Sequence, residues 1–90
     1  MKWRLEIPPG VKKELDALPD RVWLEAMEMI AAIDEDPFLS GAEALRGHTD
    51  VYRIYFYRNR YRVVYLVSKK QYRIVLWRVR PRGTAYIGLE

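Results

Sequence analysis

The stretch "YRIYFYRNRYRVVY", residues 52–65, packs six aromatic residues and four arginines into fourteen positions, and it alternates as a β-hairpin does. Apolar side chains fall at every second place, with Arg53, Tyr55, Tyr57 and Arg62 between them. Successive strand residues point to opposite faces, so this pattern predicts one buried face and one carrying guanidinium groups and rings. Two strand-like runs, 52–58 and 61–67, meet at Asn59-Arg60, read as a two-residue turn. A third run, 72–79, follows a second turn at Lys69-Lys70. That register pairs Tyr57 with Arg62, Tyr55 with Val64, Arg62 with Trp77 and Val64 with Val75. The predicted core face is Tyr52, Ile54, Phe56, Val63, Tyr65, Val67, Ile74 and Leu76. The opposite face holds Arg53, Tyr55, Tyr57, Arg62, Arg73 and Trp77.

Upstream of the hairpin the period changes. "KWRLEI" at 2–7 places Trp3, Leu5 and Ile7 on one side of a first strand, ended by Pro8-Pro9-Gly10. Val11, Leu15 and Leu18 then repeat at helical spacing until Pro19. Asp20 is the expected N-cap of a longer helix to about Ile33, with an apolar stripe of Val22, Trp23, Ala26, Met27, Ile30 and Ile33. Residues 38–50 read as a connector with room for one helical turn. The predicted class is α+β: a small, mostly antiparallel sheet (the first strand plus a three-stranded meander) with an N-terminal helical hairpin packed on one face.

Ninety residues suit one domain, 1–90. The absence of cysteine removes disulfides and thiolate chemistry, and a single histidine argues against a zinc site or a Ser/His/Asp triad. No metal or cofactor is expected. No apolar run reaches membrane-span length and the first residues lack a signal-peptide core, so the expected address is the cytoplasm, with no membrane partner. Charge is uneven along the chain. Residues 1–45 hold five Lys or Arg against ten Asp or Glu, a net of −5, while residues 46–90 hold eleven against two, a net of +9. Arginine outnumbers lysine eleven to five, which favours bidentate contact with phosphate or carboxylate. A basic half next to exposed rings points to single-stranded RNA, whose bases stack on aromatics while cations follow the backbone. No basic recognition helix is present, so DNA contact by this chain alone is not expected. The plain alternative is a solvated strand face built from strand-favouring Arg and Tyr.

The order of strand, helical hairpin, "LRG" at Leu45–Gly47, "YRIYFY", "YRVVY" and a late arginine six residues before a tyrosine resembles the RelE/ParE superfamily of bacterial toxins across nearly the whole chain. The resemblance implies a single RelE-like domain and, for the RelE-like branch, a metal-independent, ribosome-dependent endonuclease that cuts mRNA and inhibits translation. The implied partners are a cognate antitoxin, the ribosome and mRNA. By position it implies catalytic roles for Arg53, Arg62, Arg80 and Tyr86, with Arg82 in place of Arg80 if Pro81 shifts the loop. Tyr55 stands where typical RelE has lysine. Tyr55, Tyr57, Arg73, Trp77, Arg78 and Arg82 are the expected RNA-binding residues. Tyr86 is the first candidate for proton transfer or base stacking and Tyr55 the second, since neighbouring positive charge favours a phenolate. His48 would suit acid–base chemistry but lies in the connector, at a place the family does not use. Two other readings share much of this evidence: a ParE-like inhibitor of gyrase, and an RNA-binding module without catalysis.

Overall fold

The computed structural model describes residues 3–82. Its elements run β1 (Arg4–Glu6), α1 (Pro9–Asp16), α2 (Asp20–Glu35), β2 (Glu43–Ala44), β3 (Val51–Phe56), β4 (Tyr61–Ser68) and β5 (Arg73–Pro81). The strands form one sheet in the order β1-β5-β4-β3-β2. β1 runs parallel to β5, and every other neighbouring pair is antiparallel. The α+β class and the helical hairpin on one face agree with expectation. The sheet has a fifth strand, because the connector contributes the two-residue β2 against β3 instead of a helical turn.

A proline stands at the N-cap of each helix, Pro8 before α1 and Pro19 before α2. Pro9 sits at the first turn of α1, where a missing N–H costs nothing. The N-cap of α2 is Pro19, and Asp20 is the first helical residue, with no side-chain capping bond. Asp20 therefore acts through its charge near the positive helix end, not as the cap that was expected. Asp36 ends α2 by accepting the Phe38 N–H at 2.9 Å, a local turn typical of aspartate.

The core lies between the helices and one sheet face. Val11, Leu15, Val22, Ala26, Ile30 and Ile33 meet Ile54, Phe56, Val63, Tyr65, Val67, Ile74 and Leu76 there, with Tyr52 at the margin. All eight predicted sheet positions are thus on the core side. Trp23 departs from its predicted place, because it stands 39% exposed at the outer side of α2. Tyr65 is fully buried, and its hydroxyl donates to the Pro37 carbonyl at 2.6 Å. Burial pushes the pKa of Tyr65 upward.

The turns are longer than the sequence pattern implied. β3 and β4 pair Tyr55 with Arg62 and Phe56 with Tyr61, leaving a four-residue loop, Tyr57–Arg60. The expected register is off by two residues, and a slip of two keeps every strand residue on its face. Tyr57 is the exception, since it leaves the strand for a left-handed conformation with φ 52°. In β5 the change is larger. Ser68 pairs with Arg73, and a bulge between Val64 and Tyr65 leaves Trp77 as an extra residue. Beyond it, Val64 faces Arg78, Val63 faces Val79 and Arg62 faces Arg80. Without the bulge, alternation from Ile74 and Leu76 would drive Arg78 into the core. With it, Val79 takes that place, 2% exposed, and Arg78 and Arg80 turn outward.

At the other end of β5, Arg73 donates Nε to Glu6 Oε2 at 2.6 Å and Nη2 to Glu6 Oε1 at 2.9 Å, tying β1 to the sheet. This bidentate bond holds the Glu6 carboxyl below its ordinary value of 4.5 and raises the Arg73 guanidinium. A depressed carboxyl stabilises the fold above its unfolded pKa and loses that share as pH falls through the folded value. A pH titration followed by NMR should therefore show Glu6 titrating below the ordinary carboxylate value, and the Glu6→Gln variant should lack that acid-side loss. Two core substitutions measure the packing. Leu76→Ala should cost about 2–5 kcal/mol and Tyr65→Phe, which strands a buried carbonyl, about 1–3 kcal/mol in urea unfolding.

Candidate RNA-binding site

The second sheet face divides into two halves. In the first, Leu45, Val51 and Val64 are buried together with Leu66 and Trp77 against them. This small cluster explains the "LRG" element: Leu45 folds over the face, fixed by its N–H to the Val51 carbonyl at 2.7 Å, and Gly47 makes the turn at φ 79°.

The second half gathers cations around one ring. Tyr55 on β3 stands directly opposite Arg62 on β4, and Arg62 donates Nη2 to the Tyr55 hydroxyl at 3.2 Å. The guanidinium carbons of Arg62, Arg82 and Arg53 lie 5.0, 5.3 and 5.7 Å from the centre of the Tyr55 ring. A ring face carries negative quadrupole charge, so it attracts cations that would repel one another in its absence. Arg62 is only 4% exposed. Burial is the main cause that lowers its pKa, and Arg53 and Arg82 add to it, while Tyr55 opposes it. Guanidinium remains charged in proteins, so a cation is held beneath the surface at this point.

The expected residues fall into three groups. Arg53, Arg62, Arg82 and Tyr55 come together. Arg80 lies opposite Arg62 on the ladder, but its Nε donates to Glu14 Oε2 of α1 at 2.7 Å. The same Glu14 accepts the Val79 N–H at 2.8 Å through Oε1, covering the part of the β5 edge that β1 leaves bare. Arg82, the fallback position, is the arginine found over Tyr55. Arg53 is also tied, donating Nε and Nη2 to Glu43 Oε1 at 3.1 and 3.0 Å across the β2–β3 pair.

The remaining expected residues stand apart from the ring. Tyr57 is on the core side of the sheet end, with its N–H on Glu25 Oε1 at 3.1 Å and its ring edge-on to Tyr61. Its expected place opposite Arg62 is taken by Tyr55, because the four-residue loop ends β3 at Phe56. Arg73 is engaged by Glu6 at the far end of β5, seven strand residues from Arg80. Trp77 and Arg78 line a groove of about 500 Å³ with Pro8, Gly10, Val11 and Leu66. Arg78 donates Nη1 to the Trp77 carbonyl at 3.3 Å. His48 lies in the turn after β2, its N–H on the Leu45 carbonyl. Tyr86 lies outside the described residues. Among the described residues, no three His, Cys, Asp or Glu side chains gather as metal ligands would, and no helix is long and apolar enough to cross a membrane. Sequence reasoning missed Glu14, Glu43 and Glu6 as partners; the signal was the excess of acid in the first half of the chain.

Neither a family model nor a curated protein matches the sequence. Solved structures do. The archaeal RelE of a RelE–RelB complex from Pyrococcus horikoshii is 29% identical, with a TM-score of 0.77 over 94% of this chain and 100% of that one. The isolated E. coli RelE toxin is 24% identical, with a TM-score of 0.77 over 97% and 94% of the two chains. A free E. coli RelE mutant with two arginines replaced is 23% identical, with a TM-score of 0.81 over 100% and 94%.

The ring and the buried cation give a local test. Tyr55→Phe keeps the ring and loses the 3.2 Å bond, which should cost about 0.5–1.5 kcal/mol or less. Tyr55→Ala uncovers Arg62, and NMR should then show faster exchange of its guanidinium protons. Unchanged exchange would mean that side chains other than Tyr55 shield it.

Proposed function

We propose that this chain, which has the fold of the RelE/ParE superfamily, is a RelE-like toxin that cleaves ribosome-bound mRNA and is held in check by an antitoxin. The observation that carries the reading is the Tyr55 ring set among Arg53, Arg62 and Arg82, with Arg62 buried. Burying a guanidinium on a sheet face is costly for a fold that needs only a solvated surface there, and it is useful for binding phosphate. The archaeal RelE above is in complex with RelB, which supports an antitoxin as this chain's partner too.

The chemistry asks little of the protein beyond charge and position. The 2′-oxygen attacks the adjacent phosphorus as its proton leaves, the P–O5′ bond breaks, and a proton goes to the departing 5′-oxygen. The products are a 2′,3′-cyclic phosphate and a free 5′-hydroxyl. In between, negative charge grows on the non-bridging oxygens. Arg62 and Arg82 are the donors assigned to those oxygens, and neither serves as a base at neutral pH. Arg53 and Arg80 have a second role, because Glu43 and Glu14 hold their guanidinium groups, Arg53 at the Tyr55 ring and Arg80 opposite Arg62 on the ladder. Tyr55 stacks a base or caps the bound phosphate. Tyr86 keeps the proton-transfer role that the resemblance to the RelE-like branch implies for it.

Single-turnover cleavage of ribosome-bound mRNA tests this. Losing a preorganised donor at a transition state typically costs on the order of a hundredfold to a thousandfold in rate. Arg62→Ala and Arg82→Ala should each lose that much, at melting temperatures near the parent's. Tyr86→Phe should keep RNA affinity and lose rate if the tyrosine moves a proton. Full activity in both arginine variants would leave the basic face with a binding role alone and remove the endonuclease assignment.

A further inference from the structure

We propose that the β3–β4 loop, Tyr57–Arg60, is a second phosphate-binding element, with Arg58 and Arg60 gripping the RNA backbone beside the Tyr55 site. This rests on the RNA reading above and adds residues that neither the family pattern nor the cation cluster includes.

The loop backbone is the first argument. Tyr57, Arg58 and Asn59 have φ of 52°, 56° and 61°, three successive residues in the left-handed region. Side chains of L residues are crowded there, and of these three only asparagine visits the region readily. A hairpin loop of this length has unstrained solutions, most built around a type I turn. Strain that persists must be held from outside. Two bonds hold it from outside, the Tyr57 N–H to Glu25 Oε1 at 3.1 Å and the Arg82 N–H to the Arg60 carbonyl at 2.8 Å, and the Arg60 N–H closes the loop on the Tyr57 carbonyl at 3.0 Å. The loop is thereby clamped to α2 and to the segment that carries the Arg82 guanidinium over Tyr55.

Charge is the second argument. Arg53, Arg73 and Arg80 each have a carboxylate within salt-bridge distance. Arg58 and Arg60 are exposed and form no ion pair among the described residues. Glu25 is the acid bonded to this loop, and its Oε1 is occupied by the Tyr57 N–H. Two guanidinium groups on a rigid frame keep their forks for an incoming anion and lose little freedom on binding it. The Arg82 N–H to the Arg60 carbonyl places the loop backbone against the segment whose guanidinium stands over Tyr55, so both arginines start beside the site.

The test is fluorescence anisotropy of a short labelled oligouridine titrated over a range of NaCl concentrations, using the full chain and its Arg58→Gly and Arg60→Gln variants. The parent should bind with affinity that falls as salt rises. Each variant should bind several-fold more weakly and lower the log–log salt slope by about 0.7, the value for one single-strand phosphate contact. Arg58→Gly should melt at the same or a higher temperature, since glycine takes positive φ without strain. Affinity lost without stability lost is the signature of a binding role, because a merely structural arginine would lower both. Parental affinity and slope in both variants would overturn the inference and leave the proposed function standing. With labelled polyglutamate titrated in parallel, loss of its binding in the variants with oligouridine binding intact would assign the loop to an acidic protein and overturn it equally. A parent that does not bind oligouridine at all would overturn the loop assignment, while the proposed function would still be decided by the cleavage of ribosome-bound mRNA.

Discussion

Placing a guanidinium out of water on the face of a sheet is the constraint around which this molecule is arranged. Arg62 loses hydration by being 4% exposed, and three cations share one small area. The Tyr55 ring and hydroxyl offset part of that cost directly. The rest of the architecture works to keep the area small. The Leu45 clip covers the neighbouring apolar half, and the bulge at Trp77 directs Arg78 and Arg80 away from the helix-side core. A one-residue change in β5 thus settles which side chains meet the helices and which meet the ring.

The separation of charge along the chain has a different meaning in three dimensions. Glu6, Glu14 and Glu43 come from the acidic half, and each pairs with an arginine of the basic half. Surface pairs of this kind are worth little in stability. Their effect is positional: Glu43 and Glu14 steer Arg53 and Arg80 to the flanks of the site, while Glu6 fastens the parallel edge strand. Part of the +9 of the second half is therefore neutralised inside the molecule. Among the described residues, Arg58, Arg60 and Arg82 at the end of the β3–β4 hairpin have no carboxylate within salt-bridge distance.

The two faces of the sheet were readable in the alternation of residues 52–76, because a period of two survives any even slip in register. Ile54, Phe56, Val63 and Leu76 were placed correctly for that reason. Turn lengths were not readable. Asn59-Arg60 and Lys69-Lys70 look like two-residue turns only if strongly unfavourable left-handed residues such as Tyr57, Arg58 and Tyr72 are ruled out, and the structure uses all three. The bulge leaves a trace in "ILWRVR", where strict alternation would bury Arg78, and that conflict is the signal that an extra residue is needed. Among the site residues, Arg53, Arg62 and Tyr55 followed from strand parity. The exchange of Arg80 for Arg82 did not, because it depends on the reach of Glu14 from a helix sixty-odd residues away in sequence. Trp23 illustrates the limit of helical periodicity, which marks a stripe but not how far round the helix the core extends.

The proposed function makes Arg62 a residue buried for chemistry, at some expense to the fold. The most direct measurement is Arg62→Met, followed by urea unfolding and by mRNA cleavage on the ribosome in the same preparation. Replacing a buried charge by an apolar side chain of similar length is often neutral or stabilising. Arg62→Met should be at least as stable as the parent and should lose cleavage by about a hundredfold or more. A variant that cleaves normally, or one destabilised by about 3 kcal/mol as loss of a structural ion contact would do, would contradict that role for Arg62.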